Sequence, residues 1–128
     1  MVEAEKSVIG CILIDCSLFD RAATRLEGRM FADAVYGDAF RAMSQLRKRE
    51  QPIDFVTVLS VLGDACKVPL FEAANSVPML GSFDAYVGAV LDGWRERTLC
   101  AEFQRLAVSG MTADDLTTEA EKIVRQQK

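Results

Sequence analysis

The stretch that decides the fold runs from Ser82 to Val108 and has the sequence SFDAYVGAVLDGWRERTLCAEFQRLAV. It contains no proline, and its only glycines are Gly88 and Gly93. The pattern predicts one helix of about 27 residues, which would extend about 40 Å at a rise of 1.5 Å per residue. A helix of this length cannot be covered by a small core over all of its surface.

The apolar stripe of this predicted helix changes face partway along. Its first half carries a cluster that spans about 60° of arc on a helical wheel, namely Phe83, Val87, Val90 and Trp94. A second cluster lies about 160° away on the same wheel, namely Leu99, Phe103 and Leu106. Because one core cannot receive both stripes, we expect the first half to pack on the preceding residues. The second half then packs on a returning helix or on another chain.

Residues before the long helix predict short helices. Apolar residues at three- and four-residue steps indicate a first helix with one buried face, formed by Ala4, Val8, Ile9, Ile12 and Leu13. Ser17 is predicted to cap a second helix, and Gly28 to close it in the left-handed conformation. A third helix is predicted after Phe31, and its inner face holds Val35, Ala39, Ala42, Met43 and Leu46.

Two prolines punctuate the next segment. Pro52 bars continuation of the third helix, and Asp54 is predicted to cap a fourth helix that ends at Gly63. Pro69 suits the first turn of a fifth helix, from Leu70 to about Ser76. Pro78 and Gly81 then predict a loop before the long helix.

The C-terminal residues predict a helix that folds back. Ser109 and Gly110 stop the long helix, and Thr112 with Asp115 resembles a capping pair. The helix that follows carries Leu116, Ala120, Ile123 and Val124. The predicted fold is therefore all-α: a compact head of about five short helices over residues 1–81, followed by a long helix and a C-terminal helical hairpin over residues 82–128.

Composition restricts the function classes. The net charge is −4, whereas domains that bind DNA by themselves usually carry a basic excess. The clusters at residues 47–49 and at Arg95 and Arg97 lie among acidic residues and indicate solvated helix faces. No secretory signal and no membrane-spanning segment is visible, so we expect a soluble, cytoplasmic chain without direct DNA or membrane binding.

The residues of common catalytic and metal sites are missing from the pattern. There is no histidine, and the spacing of Cys11, Cys16, Cys66 and Cys100 matches no zinc site, so buried, reduced thiols are predicted. No phosphate-binding loop, dinucleotide fingerprint or nucleophile elbow occurs. Acidic pairs occur at Glu3 and Glu5, at Asp114 and Asp115, and at Glu119 and Glu121; helix-dipole or solvation roles suffice for them. We expect no catalytic residue, no metal and no cofactor in this chain.

Three blocks of sequence resemble the N-terminal domain of DnaB-type replicative DNA helicases. The first is AEKSVIGCILID at residues 4–15, and the second combines Phe40 and Met43 with QPIDFVTV at residues 51–58. The third is ANSVP at residues 74–78, followed by Tyr86, Val90 and Arg97. The blocks occur in the family's order and cover nearly the whole chain. The segment from Asp64 to Leu70 is shorter than is usual in the family, and Gly93 and Trp94 are atypical.

The resemblance implies an assembly domain that lacks the ATPase motor. It implies hairpins that pair between subunits, dimers that build a hexameric collar, and docking of a primase and in some systems of a helicase loader. Carried onto this sequence, it implies hairpin and dimer contacts at five positions: Leu99, Phe103, Leu106, Leu116 and Ile123. Tyr86 and Arg97 are candidates for a partner surface. ATP and magnesium are expected only in the motor domain of such helicases.

Other interpretations remain open from the sequence. The helicase-binding domain of a primase is also a helical head with a C-terminal hairpin, but the blocks at residues 4–15 and 52–58 favour the helicase. A stand-alone protein that binds helicase rings fits the same blocks. An enzyme of unknown type would have to turn over substrate without any of the motifs above.

Overall fold

A computed structural model describes residues 2–76, 79–108 and 121–125, and every regular element within these ranges is helical. The α-helices are α1 (Val2–Ile14), α2 (Leu18–Ala23), α3 (Ala34–Lys48), α4 (Phe55–Leu62), α5 (Lys67–Asn75) and α6 (Phe83–Val108). Short 3₁₀ turns occur at Gly28–Met30, Asp64–Cys66 and Leu80–Ser82, and residues 121–125 are helical. The prediction of an all-α fold with five short helices before a long one is confirmed.

The chain divides into two compact units, which we call the head (Met1–Leu91) and the tail unit (Asp92–Lys128). The sequence placed the end of the head at residue 81. The structural division comes later because the first turns of α6 contribute Phe83, Val87 and Val90 to the buried core of the head. Trp94, which continues the same stripe, is only half-buried.

The core of the head forms around α1 and α3. Helix α1 packs on α5 and α3, and α3 also packs on α4. Three aromatic rings link α2, α3 and the turn between them, because Phe40 lies 5.1 Å from Phe19 and 5.3 Å from Phe31 between ring centroids. Val8, Ile9 and Ile12 of α1 are fully buried, as the periodicity predicted.

The start of α2 differs from the prediction. Ser17 makes no side-chain capping bond, because its backbone is already helical, at φ −64° and ψ −22°. A capping residue normally needs an extended backbone to aim its side chain at the first free N–H groups. Asp15 supplies the oxygen instead and accepts from the Ser17 N–H at 3.1 Å and the Ser17 hydroxyl at 2.6 Å.

Gly28 also has a different role from the one predicted. Helix α2 ends at Ala23, and Gly28 opens a 3₁₀ turn without a positive φ. It is buried against α3, and a Cβ there would lie 2.9 Å from the Gly37 carbonyl oxygen. Close backbone approach, not left-handed geometry, is therefore what requires glycine at this position.

Helix α3 ends in a Schellman motif. The Gln51 N–H donates to the Leu46 carbonyl at 2.9 Å, and the Glu50 N–H donates to the Arg47 carbonyl at 3.1 Å. Glu50 takes the left-handed position with φ 57°, where glycine is usual.

Helix α4 begins and ends as the sequence predicted. The Asp54 carboxylate accepts from the Thr57 N–H at 2.8 Å, and the Thr57 hydroxyl accepts from the Asp54 N–H at 2.9 Å. These two bonds form a capping box. Gly63 ends the helix with φ 88°. Pro69 lies in the first turn of α5, which begins earlier than predicted, at Lys67.

Glu5 is a buried acid with a structural role. Its carboxylate is fully buried and accepts from the Ala32 N–H at 3.0 Å and the Asp33 N–H at 2.9 Å. The prediction that a dipole or solvation role explains this residue is wrong, because the side chain ties α1 to the segment that enters α3. Its neighbour in the acidic pair, Glu3, is exposed.

The four thiols are free, but the prediction that all are buried is wrong. Cys11 is buried in α1, Cys66 is half-buried, and Cys16 and Cys100 are exposed. Cys16 lies in the turn between α1 and α2, and Cys100 lies on an exposed side of α6. No helix among the described residues combines the length and apolar character that crossing a membrane requires.

Candidate interaction surfaces

The second stripe of α6 is partly buried within the chain. Leu106 is 1% exposed, and Ile123 in the helical residues 121–125 is 7% exposed. Leu99 is half-buried, whereas Phe103 is 42% exposed and Val124 is 43% exposed. Leu99, Phe103 and Leu106 follow the spacing of one helix face, so this face is closed at Leu106 and open at Phe103.

Both partners predicted for this stripe, a returning helix of the same chain and another chain, are therefore compatible with the exposures. Leu106 and Ile123 are buried within the chain, whereas Phe103 keeps an apolar ring in contact with solvent. The predicted turn at Ser109–Gly110, the capping pair and Leu116 lie outside the described residues. Leu99, Phe103, Leu106, Leu116 and Ile123 stay predictions as interface residues.

The two candidates for a partner surface belong to different units. Tyr86 lies in the head and is half-buried, and its hydroxyl accepts from the Met79 N–H at 3.2 Å. Its oxygen is thus used to fix the residue before the Leu80–Ser82 turn. Arg97 lies in the tail unit and is exposed. Their role in binding a partner stays a prediction.

A groove between α3 and α4 was not predicted. Its volume is about 530 Å³, and its apolar lining comes from Leu46, Val56 and Val61. Polar lining comes from Gln45, Gln51, Thr57 and Ser60, and Arg49 provides the one charged side chain of this lining. We name this feature the α3–α4 groove.

One feature of the sequence could have indicated this groove. Residues 55–62 read FVTVLSVL and contain no charged residue. A helix that is apolar nearly all round is typically buried on every side. Val56 is nevertheless 72% exposed and Val61 is 39% exposed.

The described part of the chain brings together no metal-binding cluster. No group of three cysteine, aspartate or glutamate side chains in these ranges could hold a metal ion. Asp114, Asp115 and Glu119 lie outside the described residues.

Comparison with known proteins places this architecture in a family. Residues 1–92 match the family described as "DnaB-like helicase N terminal domain". The chain belongs to this family. In structure, this member of the DnaB-like helicase N-terminal domain family is similar to the N-terminal domain of DnaB helicase from Mycobacterium tuberculosis, with a TM-score of 0.79 and 22% sequence identity. That similarity covers 98% of this chain and 96% of the other, and it shows the fold.

Two curated relatives are replicative helicases. The chain is 29% identical over 136 residues to the replicative DNA helicase DnaC of Bacillus subtilis, a match that covers 98% of this chain. It is 27% identical over 121 residues to the replicative DNA helicase DnaB of Geobacillus stearothermophilus, a match that covers 89% of this chain. The chain spans 30% of the length of the first relative and 27% of the second. The resemblance seen in the three sequence blocks is confirmed.

Proposed function

We propose that this DnaB-like N-terminal domain is an assembly module of a replicative DNA helicase and associates with further copies of itself through the tail unit. The observation that carries the proposal is the exposure of Phe103 on the same helix face as the buried Leu106. A large aromatic side chain left in water beside an already apolar site is a typical anchor at a protein interface. Pairing of tail units then supplies the dimers from which a hexameric collar is built.

Self-association is tested by light scattering across a concentration series from about 1 to 200 µM. We expect the mass of the chain, 14.1 kDa, to rise toward that of a dimer as the concentration increases. Phe103→Glu should weaken dimerisation by about tenfold or more, because a charge replaces a buried ring and each factor of ten corresponds to about 1.4 kcal/mol.

The matched control is Phe71→Glu, which makes the same change at an exposed ring in the head. It should leave the dimerisation constant within about twofold of the wild-type value. A chain that stays monomeric at the highest concentration, or a control that weakens dimerisation equally, contradicts pairing through the tail unit.

We propose primase as a second partner of this domain, and a helicase loader as a further one. The family membership supports this proposal, and Tyr86 and Arg97 are the candidate contact residues. A pull-down with the helicase-binding domain of the cognate primase tests it. Retention of the primase domain by the wild type, and loss on Arg97→Glu without a change in dimer mass, is the expected result.

We also propose that this domain contributes no ATP turnover, so that ATP and magnesium act only in a motor domain. The sequence lacks a phosphate-binding loop. The test is a phosphate-release assay on the purified chain. Turnover that persists through purification and disappears on unfolding contradicts this assignment.

A further inference from the structure

The α3–α4 groove leaves apolar surface in water on a helix without charges. Helix α4 has only Thr57 and Ser60 as polar residues, and Thr57 uses its hydroxyl in the capping box. Val58 faces the core, whereas Val56 and Val61 line the groove and remain exposed. Leu46 is 3% exposed, so the exposed apolar part of the lining consists of these two valines, with polar side chains around them.

The shape of the groove suits a helix. Its walls are themselves two helices, with Leu46 on α3 and with Val56 and Val61 on α4. An amphipathic helix binds such a groove by inserting apolar residues spaced at three, four and seven positions. Gln45 and Ser60 provide hydrogen-bonding groups along the lining.

The charge of the groove indicates which side chains a bound helix should carry beside its apolar stripe. Arg47 pairs with Asp20 at 3.2 Å, but Arg49 forms no ion pair with any carboxylate in the part of the chain that the structure describes. Arg49 lines the groove, and the exposed Lys48 adds a second cation at the same end of α3. The exposed Glu50 beside Arg49 does not line the groove, so the lining itself carries one positive charge although the chain as a whole carries a charge of −4.

We propose that the α3–α4 groove binds an amphipathic helix of a partner protein whose apolar stripe is flanked by acidic residues. A second copy of this chain that paired groove to groove would fit less well. In an isologous contact the same surface meets itself, so the positive charge of Arg49 would lie against its own copy. The proposal concerns the head and does not depend on pairing of the tail units.

The test uses two synthetic stapled helical peptides of about 15 residues. They share leucines at positions i, i+4 and i+7 and carry either glutamate or lysine on both sides of this stripe. Each is titrated into the full chain, and binding is followed by amide NMR spectra. The glutamate peptide should shift the resonances of Arg49, Val56 and Ser60. The lysine peptide should bind at least about fivefold more weakly, a difference in the range of exposed charge pairs.

Two substitutions locate the site. Arg49→Glu should lower the affinity for the glutamate peptide by about threefold to tenfold, since it replaces an attraction with a repulsion. Val56→Ser should weaken the binding of both peptides. Val68→Ser, at a comparably exposed valine outside the groove, should change the binding of neither. Thermal unfolding of each variant verifies that the head remains folded.

Several results overturn the proposal. These are equal binding of the two peptides, binding of neither at millimolar concentration, and shifts confined to residues outside the groove. Groove resonances that move with the concentration of the chain alone would assign the groove to a second copy instead. A failure of Phe103→Glu to change the dimer mass has no bearing on these measurements.

Discussion

Gly28 and Gly37 of α3 bring their backbones into close contact. A Cβ at this position would lie 2.5 Å from the Cγ atom of Arg41 and 2.9 Å from the Gly37 carbonyl oxygen. The arginine side chain can move, but the carbonyl belongs to a helix and cannot. We predict that Gly28→Ala lowers the free energy of unfolding by about 1–3 kcal/mol, the usual cost of overpacking, as measured by urea denaturation.

The control for this prediction is Gly81→Ala. A Cβ at Gly81 would meet no atom within 4 Å, and its φ is not positive. The substitution should leave stability unchanged or raise it by up to about 1 kcal/mol, because alanine restricts the unfolded chain. Equal losses at Gly28 and Gly81 would contradict a role for close packing at Gly28.

Single residues also mark the limit of what sequence patterns can predict here. Asp54 could be assigned as a cap because Pro52 fixes where α3 must end and the next helix must begin. Ser17 and Asp15 compete for one helix start, and both residue types cap helices. The backbone conformation at Ser17 decides between them, and this conformation depends on how α1 packs. Gly28 was misassigned because a glycine chosen for close contact looks identical, in sequence, to one chosen for a positive φ.

At the scale of helices, Glu5 connects α1 to the entry of α3. Glu5→Ala removes a buried carboxylate that accepts two backbone hydrogen bonds and leaves the Ala32 and Asp33 N–H groups without that acceptor. We predict a loss of about 2–4 kcal/mol of unfolding free energy, and a smaller loss for Glu5→Gln, whose amide oxygen keeps one acceptor. Chemical denaturation measures both.

Glu3→Ala is the matched control, since Glu3 lies in the same helix turn but is exposed. Its effect should remain within about 0.5 kcal/mol. If both alanine variants lost the same stability, a general effect on the start of α1 would explain Glu5 better than the bonds to Ala32 and Asp33.

At the end of α3, a substitution is predicted to raise the free energy of unfolding. Glu50 holds φ 57°, a conformation that costs residues with a Cβ about 1 kcal/mol or more. Glu50→Gly should therefore raise the unfolding free energy by about 0.5–1 kcal/mol, after allowance for the greater freedom of glycine in the unfolded chain. Arg49, at φ −89°, is not strained in this way, so Arg49→Gly should lower the free energy of unfolding. A gain in stability for Arg49→Gly would contradict this explanation of Glu50.

Helix periodicity predicted the core better than it predicted the surface. The stripes of α1, α3 and the first half of α6 were found from spacing alone, because burial against one core imposes a regular period. Helix α4 shows no such period, because its polar residues are few and uncharged and do not mark one face as exposed. The sequence therefore located the helix but could not show that Val56 and Val61 remain exposed.

At the scale of the whole molecule, two titratable groups in the head make stability depend on alkaline pH. Burial raises the pKa of the Tyr36 hydroxyl above its ordinary value, and nearby carboxylates, Asp33 first among them, raise it further. Burial alone raises the pKa of the Cys11 thiol. The folded state thus holds these protons more tightly than the unfolded state does.

The sign of the effect follows from this difference. Stability from both groups is fully present below their unfolded pKa values, near 8.5 for cysteine and 10 for tyrosine, and is lost as the pH rises through the raised folded values. We predict a fall in unfolding free energy from about pH 9 upward. Tyr36→Phe should flatten the part of this fall above about pH 10, and an unchanged profile in this variant would contradict the assignment to Tyr36.

The continuity of α6 restricts how this protein can change in length. Each residue inserted into an α-helix turns everything after it by about 100° and advances it by 1.5 Å. A single-codon insertion between Val90 and Leu99 would thus swing Phe103 to another side of the helix relative to Val90, with no change in composition. Insertions and deletions in this segment should be tolerated chiefly in steps of about seven residues, close to two full turns. Substitutions alone should account for most other variation along α6 among related genes.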